Sequence, residues 1–563
     1  MKNNLIRTFH TVVTAVSENV WYRHLFLLAT TIATILLIGY NFGVFDQASH
    51  IPFLRKMADP SLYPHDYFLE IRNYHYSYFW MLFIPFLKSG YLEVTMFLVH
   101  CFATYLTFYA IWRLTKTLFN NPIVSLFSVL VFMFPHLSFA GYSIFEFTLV
   151  NRTFVFPFLL FAIDWYLKKQ YIRSFLLLGL LINFHVISVT FVLILIGFDM
   201  LMRFREVGIK NMVQSIIACT SMAIPVLYWK FSNSHLVLGQ DSEWFSLISD
   251  GLLSNNFHFF TNQWYTWFIS FGAASTFLSF YFVRLAFPKL PYNKQVSNFM
   301  IATFVVLFIN LISSEFWHSV ILVQFQIIRV GIFALFFAYV YFTYYVVEYL
   351  IKQTSSQLQK GIIAITLMVS MSPLFLIGLY FCGRMKRLSA RYIILFEIAF
   401  LSTVTVYYFS FGSGIWQPGI SVYAQKSPNF DTQMWVRDHT SKDAVIIAPP
   451  YLWWFHALEW RVVSERTPVA NFSELLEIAF VPSYTQTWKE RFKDVAPGAV
   501  EKFKGDPFEN FKYTKKAYYS LSTQQIKNIA YKYKAQYYVV EKPFTAPFEK
   551  VYENTQFIVY RVY

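Results

Sequence analysis

The sequence predicts an α-helical polytopic membrane protein with a small C-terminal soluble α/β domain. Of its 563 residues 56% are hydrophobic, 21% are aromatic and only 14% are charged. Apolar runs long enough to cross a bilayer follow one another through residues 1–411. A soluble chain of this size would not bury so many continuous apolar runs, because domains divide once a single core stops growing. After residue 411 the composition becomes that of a soluble domain, so the predicted units are 1–411 and 412–563.

The charge distribution favours a membrane protein over a nucleic-acid partner. The formal net charge is +15, but the basic residues fall in short clusters between apolar runs, which is the positive-inside pattern. Lys2, Arg7 and Arg23 precede a first span, 25–45, that is too long for a cleaved signal peptide. The N-terminus is therefore expected in the cytoplasm. The three cysteines lie in predicted spans without metal-ligand spacing and are interpreted as small apolar residues.

Eleven to thirteen spans are predicted from the apolar runs. The run 175–202 is interrupted around His185 and is expected to form a short helical pair. Strict alternation places the cationic stretch 384–391 outside, against the charge rule, so either 314–329 crosses or re-enters the membrane or one span is misassigned. The four cations of 384–391 are used to place the C-terminal domain outside. The remaining predicted spans are 91–112, 123–140, 154–167, 212–229, 264–283, 296–312, 330–350, 362–382 and 393–411.

Four connections are predicted on the outer side of the membrane: 41–77, 140–152, 230–262 and 313–329. The first is too polar for lipid. Within it, 48–57 has the pattern of an amphipathic helix at the membrane interface, ended by a turn cluster that starts at Asp59. The apolar stretch 76–87 is too short to cross the bilayer, which predicts a second interfacial helix.

The C-terminal domain is predicted to combine strands with helices. Strands are expected at 444–448, 461–465, 536–541 and 557–562, and a short helix at 434–440. The basic, aromatic stretch 485–535 is expected to be helical or irregular. About 150 residues are enough to form an independent core.

Each of three outer connections offers one acidic residue, and two of them also offer an arginine. Asp46 is the leading candidate, because it begins the first outer connection; Glu146 and Glu315 lie in two others. Arg152 lies near Glu146. Arg329 begins a predicted span, where a charge costs about 2.5 to 3.5 kcal/mol at the helix centre, so it is the more informative arginine. Its planar fork of donors suits a phosphate.

The order of these parts resembles the GT-C superfamily of polytopic membrane glycosyltransferases. PheAspGlnAlaSerHis (45–50) places an acid at the start of the first outer loop, Glu146 follows in a second loop, and a soluble domain ends the chain. The stretches 435–450 and 460–467 are similar to the start of the corresponding domain in oligosaccharyltransferase catalytic subunits. SerSerGlu (313–315) is similar to their short acidic motif in a late outer loop.

The resemblance implies a multi-pass enzyme of the cytoplasmic (inner) membrane. Such an enzyme transfers a sugar from a polyprenyl-phosphate or polyprenyl-diphosphate carrier to an extracytoplasmic glycan or lipid acceptor, with inversion at the sugar carbon. The catalytic candidates are Asp46 as general base, Glu146 and Glu315. The candidates for binding substrate or phosphate are Arg152, Arg329, His50, His65 and Asp66.

Two departures from the family pattern narrow this expectation. Asp46 is followed by GlnAla, so the paired acids of metal-dependent members are absent. The stretch ProProTyrLeuTrpTrpPhe (449–455) lacks the aspartate of the tryptophan-rich motif for peptide acceptors. A divalent metal (manganese, magnesium or zinc) on Asp46 and Glu146 is left open, with His50, His65 and Asp66 as further ligands.

Structural roles and other function classes are weighed beside this hypothesis. Asp66 in ProHisAspTyr has the pattern of a helix N-cap, and Arg152 with Glu146 that of a structural ion pair. His185 is interpreted as a hydrogen-bonded core histidine. A transporter or flippase of lipid-linked substrates would place its site at the bilayer midplane, with internal repeats that this sequence lacks. A scaffold for envelope polysaccharide assembly would use the C-terminal domain to bind partners.

Overall fold

The computed structural model describes residues 15–233, 239, 241–252, 257–261, 264–385, 388–407, 419–453 and 457–563. Residues 15–407 form an apolar helical bundle, and residues 419–563 form a unit with a five-stranded sheet, which we call the C-terminal unit. Lys2, Arg7, the predicted boundary at 411 and parts of the predicted connection 230–262 lie outside the described residues. The chain is thus an α-helical polytopic membrane protein with a small C-terminal sheet.

The bundle contains, within the described ranges, six helices long and apolar enough to cross a membrane. Ile327–Ile351 is central, since 89% of its most apolar stretch is buried inside the protein. The other five are Val20–Ile38, Leu92–Phe119, Ile209–Ser232, Thr266–Ala286 and Asn293–Trp317. Shorter apolar helices are Pro122–Val131, Tyr171–Ile182, Val186–Met202, Gln357–Val369 and Leu374–Arg384.

The remaining helical elements of this part lie beside or between these helices. They are Gln47–Ala58, Tyr67–Glu70, Ile71–Tyr74, Trp80–Phe83, Ile84–Lys88, Phe139–Gly141, Asn151–Leu167, Phe204–Val207, Ser242–Gly251, Val320–Gln324 and Leu388–Tyr407. Gln47–Ala58 is the helix predicted for 48–57, and it ends at Asp59 as expected. The predicted interfacial helix 76–87 is instead a 3₁₀ turn followed by one short helix, Ile84–Lys88.

Three predicted spans were wrong in their limits. The first helix ends at Ile38 rather than in the forties, because Gly39 adopts a positive φ of 89° and the chain then enters a strand. The run 123–140 is α-helical only over Pro122–Val131. The run 362–382 is two helices, Gln357–Val369 and Leu374–Arg384, separated at a turn that contains Pro373.

The broken run at 362–382 removes the conflict with the charge rule. Because the chain turns back within the bundle, the stretch after Leu374–Arg384 returns to the side where the Gln357–Val369 helix began. Arg391 Nη2 donates to Thr354 Oγ1 at 2.8 Å, and Tyr392 Oη donates to Ser356 Oγ at 2.7 Å. Arg391, a described cation of the stretch 384–391, thus lies on the side of 354–356, in agreement with the positive-inside rule.

The C-terminal unit is built on a five-stranded sheet. Its strands are β3 Val445–Ile447, β4 Thr467–Pro468, β5 Ala535–Glu541, β6 Glu549–Glu553 and β7 Phe557–Arg561. They lie in the order β4-β3-β5-β7-β6, in which β4, β3 and β5 are parallel and β7 and β6 continue the sheet antiparallel. Helices Pro428–His439, Trp460–Ser464, Leu475–Ile478, Thr485–Val495, Pro507–Tyr518 and Thr523–Tyr533 surround the sheet, with 3₁₀ turns at Phe472–Glu474, Pro482–Tyr484 and Val500–Lys502.

One predicted strand of this unit is a helix. Residues 461–465 carry β-branched residues, but the structure has the helix Trp460–Ser464, whose first turn is capped by the Glu459 carboxylate on the Arg461 N–H. Burial of Trp460 and Arg461 outweighs the local strand propensity. The strands predicted at 444–448, 536–541 and 557–562 and the helix at 434–440 are confirmed.

The C-terminal unit lies on the same side of the bundle as the first outer connection. Two short parallel strands, β1 (Tyr40–Asn41) and β2 (Ile420–Ser421), pair the two directly. Gly43, with a φ of +82°, brings the backbone so close that an added Cβ would lie 3.1 Å from Val462 Cγ1. Further hydrogen bonds join this unit to 241–252 and 320–324, through Trp244 Nε1 to Ile478 O (3.0 Å) and Gln324 Nε2 to Phe480 O (2.9 Å).

This arrangement predicts which exposed positions share a side of the membrane. Single cysteines at Glu70 and Ser522 are expected to react with a membrane-impermeant maleimide from one side, and cysteines at Lys352 and Arg384 from the other. All four side chains are exposed. The background replaces Cys101, Cys219 and Cys382 with serine. Labelling of Arg384→Cys together with Glu70→Cys would contradict the hairpin at 357–384.

Candidate functional site

Arg152 joins two of the predicted acids in one ion-pair cluster. Its Nη1 lies 2.5 Å from Asp46 Oδ2, its Nε donates to Glu146 Oε1 at 2.6 Å, and its Nη2 pairs with Glu146 Oε2. The three side chains retain only 17% to 20% of their exposure. A guanidinium that binds one carboxylate through two nitrogens and a second carboxylate through the third fixes their relative positions. The structure therefore brings Asp46, Glu146 and Arg152 together.

The positions of these charges follow from the local structure of two outer loops. Asp46 precedes the helix Gln47–Ala58 but does not cap it, because its carboxylate turns toward Arg152. Gln47 is fully buried; its side chain donates to Leu149 O at 2.9 Å and accepts from Gly43 N at 2.8 Å. This buried amide ties the first outer loop to the second. Arg152 begins the helix Asn151–Leu167, so the bundle fixes its backbone.

A cavity of about 50 Å³ opens beside this cluster. Its polar wall includes Glu146, Arg152, Arg329 and Tyr142, and its other wall is apolar, formed by Ile144, Phe156, Phe191, Ile332 and Phe333. By volume the cavity accommodates a few water molecules or a group of phosphate size. It thus lies where a polar group borders the apolar interior of the bundle.

Arg329 supplies a second positive charge to this cavity. Its guanidinium carbon lies 4.2 Å from the centre of the Tyr142 ring, a cation–π contact. Its buried Nε has no hydrogen-bond partner, and among the described residues no carboxylate lies within 4.0 Å of its guanidinium. Since buried donors are nearly always paired, this free donor indicates a place for an anionic or polar ligand.

Asp46 is held in its ionised form. Burial would raise the pKa of its carboxyl, but the guanidinium groups of Arg152 and Arg329 outweigh burial and lower this pKa below 3.8. Asp46, Glu146, Arg152 and Arg329 together carry no formal net charge. The site therefore contains an ionised carboxylate next to an arginine that is free to bind an added negative group.

His50 lies close to Asp46 but is not directed into the cavity. Its ring stacks on Trp80 with centroids 4.6 Å apart. Burial lowers the pKa of His50 to about 4, against the opposite influence of Asp46, so the ring is neutral at pH 7. The ring is positioned to support the Asp46 loop.

The other three candidates lie elsewhere. His65 is exposed and faces Asp443 of the C-terminal unit. Asp66 is buried and caps the helix Tyr67–Glu70 through Phe68 N at 3.1 Å, as its N-cap pattern predicts. Glu315 lies 3.2 Å from His258 Nδ1, which is its ionic partner within the described ranges. The structure thus separates these residues from the Asp46 cluster.

Asp66 instead belongs to a buried network that fastens the first outer loop to the C-terminal unit. Arg461, 1% exposed, lies 2.6 Å from Asp66, 2.8 Å from Glu459 and 2.7 Å from Glu474. Tyr484 donates to the second oxygen of Glu474 at 2.8 Å. Burial raises the pKa of Glu459 to about 7, although Arg461 opposes this shift. One guanidinium therefore serves three buried carboxyl groups from both sides of the contact.

The candidate metal ligands do not fit a metal ion in this arrangement. Arg152 already lies between Asp46 and Glu146, where a cation would bridge them. His50 is stacked on Trp80, and His65 and Asp66 face the C-terminal unit. Within the described ranges, no three His, Cys, Asp or Glu side chains are grouped so that they could hold a metal ion.

Several residues that line or support the site were not found from the sequence. Tyr142 lies under Arg329 and Ser188 lines the cavity. His185, interpreted as a core histidine, is 2.8 Å from Ser188 Oγ, so it borders the site. Of these residues, only Tyr142 could have been indicated by the sequence, because it lies close to Glu146 in the chain.

Loss of the Arg461 guanidinium is expected to destabilise the protein strongly. Arg461→Met leaves three buried carboxyl groups without their shared cation, which predicts a loss of about 3–5 kcal/mol in the free energy of unfolding. Denaturant unfolding in detergent micelles measures this. The control is Arg55→Met, whose ion pair with Glu465 at 2.7 Å is more exposed, at 13% and 25%; it should cost less than about 1 kcal/mol. Equal losses would contradict a special role for Arg461.

One comparison with known families concerns the contact between the first outer loop and the C-terminal unit. Residues 431–495 match the family model of a domain of unknown function, DUF6798. No curated protein matches the chain. The matched segment contains Lys442, Arg461, Glu465 and Glu477, which contact Asp59, Asp66, Arg55 and His75 of the first outer loop. The segment that resembles this family therefore supplies these charged contacts between the C-terminal unit and the loop of Asp46.

Proposed function

We propose that the protein is an integral-membrane glycosyltransferase of the GT-C type. It transfers a sugar from a polyprenyl-phosphate or polyprenyl-diphosphate carrier to a glycan or lipid acceptor outside the cytoplasmic membrane, with inversion. The observation that carries the proposal is the convergence of Glu146, Arg152 and Arg329 on one cavity where polar loops meet the apolar bundle, with Asp46 paired to Arg152 beside it. In this orientation the N-terminus is cytoplasmic and the C-terminal unit is extracytoplasmic.

Asp46 has the properties that a general base for this reaction needs. An acceptor hydroxyl does not ionise at neutral pH, so a carboxylate must remove its proton as the hydroxyl oxygen attacks the sugar carbon. The lowered pKa keeps Asp46 in the ionised form that accepts a proton, while it also weakens the carboxylate as a base. Glu146 is held by two hydrogen bonds from Arg152, which leaves Asp46, with a single bond, as the more available carboxylate.

Arg329 and Arg152 are suited to the phosphate of the donor. The free Nε of Arg329 and its charge would bind the phosphate and stabilise the charge that develops as it leaves the sugar carbon. The apolar wall of the cavity, with Phe156 and Phe333 among its members, would accept the first carbons of the lipid chain. Both arginines lie at the cavity, so the phosphate would be held within reach of the Asp46 loop.

Transport of a lipid-linked substrate is the alternative, and the broken run 357–384 is the observation that favours it. Transporters commonly bind their substrates at interrupted helices, through unpaired backbone carbonyls. Here the backbone at the interruption is already paired within the bundle. Met371 O accepts from Leu137 N at 2.7 Å, and Ser370 O contacts His136 Nδ1 at 2.9 Å. The unpaired donor that borders the cavity is instead the Nε of Arg329, so we favour the transferase.

The proposal predicts that Asp46→Asn abolishes turnover without unfolding the protein. Purified protein in nanodiscs is supplied with a panel of polyprenyl-phosphate sugars, and release of the lipid phosphate is measured. Loss of the base is expected to lower the rate at least roughly a hundredfold. The control is Asp59→Asn in the same outer loop, where the carboxylate is 44% exposed and pairs with Lys442; its rate should equal that of the wild type.

Equal turnover by a folded Asp46→Asn variant would contradict the assignment of the base. Failure of the wild-type protein to release phosphate from any donor in the panel, with no binding of polyprenyl phosphate, would contradict the transferase itself and favour transport or a scaffold role. Binding without turnover would direct the search to other sugars or acceptors.

A second prediction concerns the phosphate. Arg329→Gln removes the free donor and its charge, and we expect at least about a tenfold weaker binding of polyprenyl phosphate, since hydrogen bonds to charged groups contribute about 1.5–3 kcal/mol. Titration of the lipid phosphate into the protein in detergent measures this. Arg384→Gln, an exposed arginine on the opposite side of the bundle, is the control. Unchanged affinity of Arg329→Gln would exclude Arg329 as the phosphate ligand.

A further inference from the structure

A buried carboxyl group of the C-terminal unit lies behind the proposed site. Glu477, on the short helix Leu475–Ile478, is 4% exposed. Its Oε2 lies 3.1 Å from Nε2 of His75 in the first outer loop, a close polar contact without hydrogen-bond geometry that spans the two parts of the protein. Burial of a carboxyl group is costly unless polar groups compensate it, so the position of Glu477 calls for an explanation.

A series of contacts leads from Glu477 to Asp46. The His75 ring lies 6.1 Å, centroid to centroid, from the His50 ring. His50 is four residues from Asp46 on the first helical turn, and its backbone N–H donates to the backbone carbonyl oxygen of Asp46 at 3.4 Å. The series of contacts therefore reaches the proposed base through the backbone of this helical turn.

Few charges face Glu477. The charges of Asp46 and Arg72 act on it from the first outer loop, which also presents the hydroxyl of Ser49 and the ring of His75. The helix Ser242–Gly251 packs on the other side of Leu475–Ile478 through the indole of Trp244, which donates to Ile478 O at 3.0 Å. Glu477 thus lacks the direct arginine partner that Asp46 has.

At neutral pH the contact between Glu477 and His75 carries no charge. Burial, followed by the negative charge of Asp46, raises the pKa of Glu477 to about 8. Burial, with His50 and Arg72 nearby, lowers the pKa of His75 well below 6.5. At pH 7 Glu477 therefore carries its proton and His75 is neutral. Ionisation of Glu477 at higher pH would place two negative carboxylates behind the same loop.

We propose that Glu477 is a positioning residue for Asp46: its carboxyl group and the His75 ring hold the Asp46 loop against the C-terminal unit, and ionisation of Glu477 weakens this contact. The inference rests on the proposed function for the role of Asp46, but the contact itself does not. In this inference the segment 431–495, which matches the family model of a domain of unknown function, helps to position the proposed base.

The pH dependence of stability tests the contact without any activity. Because the pKa of Glu477 is raised in the folded state, the unfolded chain releases the proton first, and the stability supplied by this group falls as the pH rises from about 4.5 to about 8. Glu477→Gln removes the ionisable group, so its melting temperature should fall less than that of the wild type over this range. Glu490→Gln, an exposed acid of the same unit, should melt as the wild type does at every pH.

The electrostatic coupling between Glu477 and Asp46 is tested by the same measurements of melting temperature against pH. Asp46→Asn removes the negative charge that raises the pKa of Glu477, so the fall in melting temperature should move to lower pH. Parallel curves for the wild type and Glu477→Gln, or an unmoved midpoint in Asp46→Asn, would overturn the inference even if no donor is turned over.

The positioning role is then measured on the rate. Wild-type turnover of the polyprenyl-phosphate sugar should decline as the pH rises through about 8, while Glu477→Gln should retain its rate there. Identical pH–rate profiles in the two proteins, with different melting curves, would show that Glu477 is only structural and would overturn the positioning role. Absence of turnover in the wild type would contradict the proposed function and leave the melting curves to decide the contact.

Discussion

The burial of Arg461 is the constraint on which the outer half of the protein depends. Its guanidinium is held by Asp66 from the first outer loop and by Glu459 and Glu474 from the C-terminal unit. Removing ions from water is costly, and the cost is offset only when hydrogen bonds satisfy every group. Neither half satisfies them alone, because each contributes part of the network. The Arg461 network therefore orders the loop that carries Asp46 and also holds the C-terminal unit against this loop.

The two sides of the bundle treat charge differently. On the side of residues 354–356, Asp164 and Asp199 are fully buried and each pairs with arginine, Arg113 and Arg203. In each pair the buried carboxylate is bound by its arginine, as in a structural ion pair. On the other side Arg329 keeps a buried donor without a partner, next to a cavity. A free donor that borders a cavity, rather than the number of charges, distinguishes the candidate site from the other ion pairs.

Much of the bundle and part of the site could be predicted from the sequence. Hydropathy indicated the long helices, and topology placed Asp46, Glu146 and Arg152 on one side before any geometry was known. The break at 370–373 and the helix Trp460–Ser464 were missed, because tertiary burial decided them against local patterns. The separation of Glu315 and Asp66 from Asp46, and the presence of Glu477, depend on contacts between residues hundreds of positions apart, for which one sequence holds no signal.

The most direct measurement of the central claim is an experimental structure with a non-transferable donor analogue, a polyprenyl phosphonate sugar, in nanodiscs. The account predicts the phosphonate within hydrogen-bond distance of the Arg329 guanidinium, the sugar ring facing Asp46, and the lipid chain along the apolar wall of Phe156 and Phe333. An analogue bound at the bilayer midplane near Ser370, or at a surface of the C-terminal unit remote from Asp46, would contradict it.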